Sequence, residues 1–224
     1  MIGVFDSGVG GLCAYRELRR LLPRQDIIYL ADRKNAPYGT KSKDELIALT
    51  KNDIKRLREM GAKKILIACC TASTVYPYLD EEEREISLPI ITPAALVASK
   101  YGRVMVIATN HTVASHAFGD AIRAISGTQV KEFACQELVS LIEGGCRDGR
   151  LNEECRGRIE KIRGDALEFG AEALVLGCTH FSHLEGEFKK LLPHAKIISP
   201  ASEGARAMAE KIKEKTENGR TVYT

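Results

Sequence analysis

The sequence has no tryptophan, and aromatic residues make up only 6% of its 224 residues. Basic and acidic side chains are interspersed at a net charge of +3, and no dense basic block carries aromatic residues, which gives no support for nucleic-acid binding. No apolar run approaches the roughly 18 residues of a membrane span, and Met1 leads into an apolar segment without a leader-like stretch. We therefore expect a cytoplasmic protein that contacts neither nucleic acid nor membrane.

The seven cysteines are an odd number and include no C-x-x-C pair, so most of them are expected to be reduced thiols. A zinc site built from Cys69, Cys70, Cys178 and His180 is disfavoured, because adjacent cysteines seldom bind the same tetrahedral ion. A disulfide oxidoreductase also requires the missing C-x-x-C spacing. We expect no metal and no cofactor.

Two segments share one design, in which a short apolar run ends in a thiol and a threonine. Residues 63–73 contain Cys69, and residues 173–180 contain Cys178. Each pattern predicts a buried parallel strand with its cysteine at the carboxyl end, where open α/β sheets place ligand chemistry. The repetition predicts two similar α/β halves with a cleft between them.

The rest of the chain alternates between strand and helix patterns, which predicts mainly parallel sheets flanked by helices. Ser42 followed by Glu45 indicates a helix start, and Pro93 marks the expected crossing between the halves. The pattern predicts continuous helices over residues 72–84 and 113–125 and a short fourth strand over residues 88–93. It also predicts a last helix over residues 201–215, followed by a frayed tail over residues 216–224.

A thiolate is the reactive form of cysteine, and a position at the start of a helix predicts a lowered pKa for Cys69 and Cys178. Asp6 and His180 are candidates to orient or deprotonate these thiols. Two thiols on opposite faces of a bound α-carbon can remove a proton from one face and return it to the other, which is racemisation or epimerisation. The alternative for either cysteine alone is a small buried residue of the sheet core.

Four motifs together resemble the glutamate racemases of the cofactor-independent aspartate/glutamate racemase superfamily. They occur in the family's order within residues 2–11, 37–39, 68–73 and 176–180, and the match extends to about residue 205. The resemblance implies two α/β domains, formed by residues 1–93 plus 199–224 and by residues 94–198, with the active site in the interdomain cleft. It also implies conversion of L-glutamate to D-glutamate for peptidoglycan, without a cofactor. The sequence does not fix the oligomeric state, although family members often form homodimers.

By the same resemblance, Cys69 and Cys178 are the acid/base thiols, assisted by Asp6 and His180 respectively, and Glu143 is a further catalytic residue. The positions matching those that hold the amino acid's amino and carboxylate groups are Ser7, Pro37, Tyr38, Gly39, Thr71, Thr112 and Thr179.

Cys70 stands where the family has an asparagine that contacts the substrate, so aspartate or a broader aspartate/glutamate specificity is the alternative within the class. Gln136 and Ser140 replace family prolines near Glu143. A decarboxylase or another isomerase on the same scaffold and a non-catalytic amino-acid-binding module are the remaining alternatives.

Overall fold

The computed structural model describes residues 1–218, which contain two separate sheets of four parallel strands. The strands are β1 (Ile2–Asp6), β2 (Ile27–Ala31), β3 (Lys64–Ile67), β4 (Ser87–Pro89), β5 (Arg103–Ala108), β6 (Gln129–Ala134), β7 (Ala173–Gly177) and β8 (Lys196–Ile198). We call the part of the chain around β1–β4 the first half and the part around β5–β8 the second half.

The two sheets have the same topology. Their strand orders are β2-β1-β3-β4 and β6-β5-β7-β8, so β3 in the first half corresponds to β7 in the second. Both of these central strands are almost fully buried apolar runs, as expected for parallel sheets covered on both faces. The prediction of two similar α/β halves with parallel sheets is confirmed.

Helices connect the strands and cover the sheets. They are α1 (Leu12–Leu21), α2 (Lys43–Glu59), α3 (Cys70–Ser73), α4 (Glu81–Ile86), α5 (Ile91–Ala98), α6 (Asn110–Ala114), α7 (Ala117–Arg123), α8 (Gln136–Glu143), α9 (Glu153–Phe169), α10 (Glu185–Leu191) and α11 (Pro200–Asn218), with 3-10 turns at Tyr38–Thr40, Tyr76–Tyr78 and Thr179–Leu184. The predicted start of α2 is confirmed, because Ser42 and Glu45 form a reciprocal capping box. In the described part of the chain, no helix is long and apolar enough to span a membrane.

The structure corrects three predicted elements. The helix predicted over residues 72–84 is interrupted between α3 and α4, where Pro77 lacks an amide donor and Asp80 starts a new helix with its own capping box. The fourth strand ends at Pro89, and the apolar residues after it form α5. The helix predicted over residues 113–125 divides into α6 and α7 at His116, whose backbone is left-handed with φ of 53°.

Helix α11 returns from the second half and packs against α1 and α5. The core around it contains Leu66 and Ile90 of the first half together with Val106 and Val175 of the second, so a single hydrophobic cluster joins the two sheets. The helix extends to Asn218, beyond the predicted end at residue 215. Residues 219–224, which belong to the predicted frayed tail, lie outside the described residues.

Gly204 of α11 packs tightly against the first half, because an added Cβ would be 2.4 Å from Ile90 Cγ2. We predict that Gly204→Ala lowers the free energy of unfolding by about 1–3 kcal/mol because it overpacks this contact. The matched control is Gly164→Ala in the middle of α9, where an added Cβ meets nothing within 4 Å, and it should raise stability by about 0.5–1 kcal/mol. Urea denaturation of both variants measures the difference, and equal effects would contradict the packing argument.

Candidate active site

The carboxyl ends of β3 and β7 open onto one small cavity of about 40 Å³. Its walls come from both halves, and they carry the two cysteines that the repeated strands predict. The lining residues are Ser7, Gly8, Ala36, Pro37, Tyr38, Gly39, Cys69, Cys70, Thr71, Thr109, Gln136, Val139, Glu143, Cys178, Thr179 and His180. We refer to this cavity as the thiol pocket.

Cys69 follows β3 and caps the amino end of α3. Its sulfur accepts a hydrogen bond from the amide of Ala72 at 3.5 Å, and its thiol lies 3.8 Å from the hydroxyl oxygen of Ser7, to which it donates. Only 5% of the residue is exposed. Ser7 comes directly after β1, the strand beside β3, so neighbouring strand ends bring these two residues together.

Cys178 follows β7 and faces a histidine with a carboxylate behind it. The Cys178 sulfur lies 3.8 Å from Nδ1 of His180, and Nε2 of the same ring lies 3.3 Å from a carboxylate oxygen of Glu143. Glu143 is the last residue of α8 and is largely exposed, whereas the other two residues are buried. In this order of thiol, imidazole and carboxylate, the carboxylate is placed to orient the histidine ring.

Asp6 ends β1 as a fully buried carboxylate. One of its oxygens accepts from the amide of Gly8 at 2.9 Å, and the other accepts from the Thr179 hydroxyl of the second half at 3.2 Å. The contact between the halves is tight here, because a Cβ on Gly10 would be 2.5 Å from the Thr179 hydroxyl oxygen. Asp6 therefore connects the first half to the residue that follows Cys178.

A triangle of buried threonine hydroxyls forms a second link between the halves. Thr71 Oγ1 lies 3.2 Å from Oγ1 of both Thr109 and Thr112, and these two lie 2.9 Å from each other. Thr71 belongs to the first half and the other two to the second. Each hydroxyl can donate to one neighbour and accept from the other, so the triangle is self-satisfied while the pocket is closed.

Burial dominates the electrostatics of both thiols. It raises the pKa of Cys69 to about 12, with a further rise from the Asp6 charge, against lowering contributions from hydrogen bonds of Ala72 and Ser7. Burial also raises the pKa of Cys178 strongly, although the amide of His180 donates to it. The predicted lowering of both thiol pKa values was wrong, because desolvation outweighs the donors of one short helix and one 3-10 turn. Both thiols are therefore protonated in the closed pocket.

The structure brings nearly all the predicted site residues to the thiol pocket. Two of them lie just behind its wall: Asp6 beneath Gly8, and Thr112 within the hydroxyl triangle. The prediction did not include five of the lining residues, which are Gly8, Ala36, Thr109, Gln136 and Val139. Thr109 follows β5, the counterpart of β1, so it occupies the position equivalent to Ser7, and the repeat could have revealed it.

A larger cavity of about 520 Å³ adjoins the thiol pocket and shares Gly8, Ala36, Glu143 and His180 with it. We call it the vestibule. Its walls also carry Arg33 and Arg147, which are exposed, and His183. Burial, and then electrostatic contributions from His180, Arg16 and Arg147, lower the pKa of His183, against a raising contribution from Asp148.

Comparison with known proteins agrees with this geometry. A family model described as Asp/Glu/Hydantoin racemase matches residues 12–208, which places the chain in this class of proteins. Glutamate racemase from Gloeobacter violaceus is 36% identical over 216 residues, which cover 95% of this chain and 80% of that protein. The glutamate racemase from Herpetosiphon aurantiacus is 38% identical over 230 residues, covering 97% and 89% respectively.

A solved structure extends the similarity to three dimensions. The crystal structure of glutamate racemase from Francisella tularensis, in complex with D-glutamate, has a TM-score of 0.85 and 31% identity, and the match covers 96% of this chain and 81% of that one. The chain belongs to the glutamate racemase family.

The raised pKa of Cys69 predicts slow alkylation. At pH 8 only about one Cys69 side chain in 10⁴ is a thiolate, so iodoacetamide should label it at least about tenfold more slowly than the half-buried Cys13. The rate should rise about tenfold for each pH unit up to pH 10. Mass spectrometry of the labelled peptides measures both rates, and labelling of Cys69 as fast as Cys13 at pH 8 would show that the pocket is not desolvated.

Proposed function

We propose that the protein interconverts L-glutamate and D-glutamate by moving the α-proton between two thiols, Cys69 and Cys178. One observation carries this proposal: two buried thiols line the same pocket, and each lies near its own candidate base. The two thiols lie at equivalent strand ends of the two similar sheets. The similarity to glutamate racemases, including one that holds D-glutamate, supports glutamate as the substrate.

The proposed step conserves protons and electrons. One cysteine, as a thiolate, removes the α-proton, and the electron pair of the broken C–H bond delocalises into the substrate carboxylate. The opposite thiol then gives its own proton to the other face of the same carbon and becomes the thiolate. The product is the other enantiomer, no redox change occurs, and the reverse reaction exchanges the two roles.

Each thiol needs a base because its pKa is raised. We assign this role to Asp6 for Cys69, since the Asp6 charge acts on that thiol. His180 serves Cys178, with Glu143 accepting from the other ring nitrogen. The substrate's amino and carboxylate groups bind to polar groups of the pocket and replace the contacts that these groups make with one another. The groups concerned are the side chains of Ser7, Thr71 and Thr179 and the wall at Pro37, Tyr38 and Gly39.

Aspartate, or both amino acids, is the second candidate substrate. The observation that favours it is Cys70, a buried residue of the thiol pocket whose short apolar side chain offers little hydrogen bonding to a substrate. Turnover of aspartate would support this candidate, and Cys70→Asn would then be the first variant to make.

The setting of the reaction is also part of the proposal. We infer a first domain of residues 1–93 plus 199–224 and a second of residues 94–198, a division supported by the two sheets and by the return of α11 to the first half. A cytoplasmic enzyme that supplies D-glutamate for peptidoglycan, acting on a small-molecule substrate as a homodimer, follows from the family resemblance. All the acid/base groups that the proposed step uses come from the chain itself.

Replacing one thiol separates the two half-reactions. We predict that Cys69→Ser and Cys178→Ser each lower the racemisation rate by about 10²–10⁴-fold, because a serine hydroxyl is a far weaker acid than a thiol. Each variant should retain α-proton exchange with one enantiomer only. Deuterium incorporation and chiral chromatography on L- and D-glutamate measure the two effects. Cys13→Ser is the control outside the pocket and should be fully active, whereas wild-type racemisation by either pocket variant would refute the two-thiol mechanism.

The substrate must enter through an opening of the closed pocket. A cavity of about 40 Å³ is far below the roughly 300–1,000 Å³ of small-ligand sites, whereas the vestibule reaches that range. Arg33 and Arg147 make no ion pair among the described residues, and they lie on opposite halves. The vestibule is therefore a positively charged route for a dicarboxylate.

We predict that the double variant Arg33→Gln/Arg147→Gln lowers kcat/KM for glutamate about 3- to 10-fold at low ionic strength, with kcat unchanged, because steering acts on association. The difference should shrink as salt rises to 0.5 M. Arg24→Gln/Lys63→Gln is the charge-matched control, since these two residues precede β2 and β3 and so lie at the opposite edge of the sheet. An equal loss in the control would point to net charge rather than to the vestibule.

A further inference from the structure

The hydroxyl of Tyr38 lies between two buried carboxyl groups. Its oxygen is 2.7 Å from Oδ2 of Asp32 and 3.0 Å from Oδ2 of Asp53. Asp53 is completely buried, Asp32 is 4% exposed, and the Tyr38 ring is 1% exposed. Bulk water therefore has little access to any of these oxygens.

Counting protons shows that the two contacts cannot both be donated by tyrosine. A phenol carries a single proton, and an ionised carboxylate can only accept. With both aspartates ionised, one buried pair of oxygens would face each other without a proton between them, which is unfavourable at low dielectric. At least one of the two carboxyl groups must therefore be protonated to satisfy this geometry.

The surrounding contacts decide which carboxyl carries the proton. Asn35 Nδ2 lies 2.9 and 3.0 Å from the two Asp32 oxygens, and Tyr38 makes its shorter contact to Asp32, so hydrogen-bond donors already meet both oxygens of that carboxyl group. At Asp53, Arg56 Nη1 donates to Oδ1 at 3.1 Å, an ion pair that opposes protonation but is weakened by solvent because the Arg56 side chain is 40% exposed. The pair leaves Oδ2 available to hold a proton toward Tyr38. The hydrogen bonds then run in one direction, from Asp53 to Tyr38 to Asp32.

This chain of hydrogen bonds supports one wall of the thiol pocket. Asp32 follows β2, Asp53 is in α2, and Tyr38 begins the 3-10 turn of the wall that also contains Pro37 and Gly39. The Tyr38 side chain is thereby held between two elements of the first half while the same residue lines the pocket. Loosening either carboxyl contact would release this wall.

We propose that Asp53 is a positioning residue, whose neutral carboxyl donates to Tyr38 and so fixes the Pro37–Gly39 wall against the substrate. The effect on catalysis rests on the proposed function, whereas the proton chain does not. Asp53 is outside the thiol pocket and acts only through Tyr38.

The charged and titratable groups facing this chain set its pH range. Burial and then the charge of Asp32 raise the pKa of Asp53 to about 6, against lowering contributions from Tyr38 and Arg56. Cys69 acts on Tyr38 from the pocket side. Because the folded-state pKa is raised, the proton and its contribution to stability are present at low pH and are lost as the pH rises through about 6.

The first test compares KM for glutamate from pH 5 to pH 8 in wild type, Asp53→Asn and Glu59→Gln. In Asp53→Asn the amide oxygen keeps the Arg56 contact and the amide nitrogen donates to Tyr38 at every pH. The ratio of wild-type KM to variant KM should rise about threefold above pH 6, with little change in the ratio of kcat. Glu59→Gln, an exposed charge on the same helix, should follow wild type. A ratio for Asp53→Asn that is independent of pH would overturn the positioning role.

The second test needs no turnover and therefore remains decisive if glutamate is not the substrate. Side-chain carboxyl ¹³C NMR of wild type should show Asp53 titrating near pH 6, and the Gly39 amide signal should follow the same transition. In Asp53→Asn the Gly39 transition should disappear, and in Asp32→Asn the Asp53 pKa should fall, because Tyr38 can then donate to it. Titration of Asp53 near pH 4 in wild type, or a Gly39 transition unaffected by Asp53→Asn, would refute the proposal.

Discussion

The desolvation of two thiols is the constraint on which the site depends. Cys69 and Cys178 are both at least 94% buried, and burial raises their pKa values far above neutrality. A thiol of this kind is a poor base until a neighbour removes its proton, and the mechanism that we propose therefore gives one thiol an aspartate and the other a histidine. The same desolvation strengthens each charge–charge contact in the pocket, so a small shift of one wall changes the balance of protonation.

The duplicated topology produces this arrangement with few special residues. Parallel strands end at one edge of a sheet. In the first half the chain passes from β1 to β2 on one side of the sheet and from β3 to β4 on the other, and β5 to β8 repeat this order in the second half. A crevice is therefore left at the carboxyl ends of the two central strands of each sheet. Facing two such edges toward each other puts one thiol on each side of the pocket. Helix α11 and the shared core keep the edges together, so the precision of the site depends on packing well behind it.

The strand patterns and the cysteine repeat were sufficient to predict two parallel α/β halves, because buried parallel strands are continuous apolar runs whose ends are marked by small polar residues. The helix break at His116 depends on one left-handed residue that no local pattern marks. The thiol pKa values were predicted in the wrong direction because they are raised by burial, which depends on tertiary packing and is not marked in the local sequence. Thr109 was missed for a related reason, since its contacts with Thr71 form only when the halves meet.

The contacts that close the pocket are polar contacts that a substrate can replace. Asp6 accepts from Thr179 across the seam, and Thr71 joins Thr109 and Thr112 in a hydroxyl triangle. In the mechanism that we propose, the entering amino acid offers its carboxylate to hydroxyl donors and its ammonium group to Asp6, so these links can be broken without leaving buried groups unsatisfied. Opening therefore costs mainly rearrangement of hydrogen bonds, while the apolar core that joins the sheets stays packed. A closed thiol pocket and ready exchange of substrate are compatible for this reason.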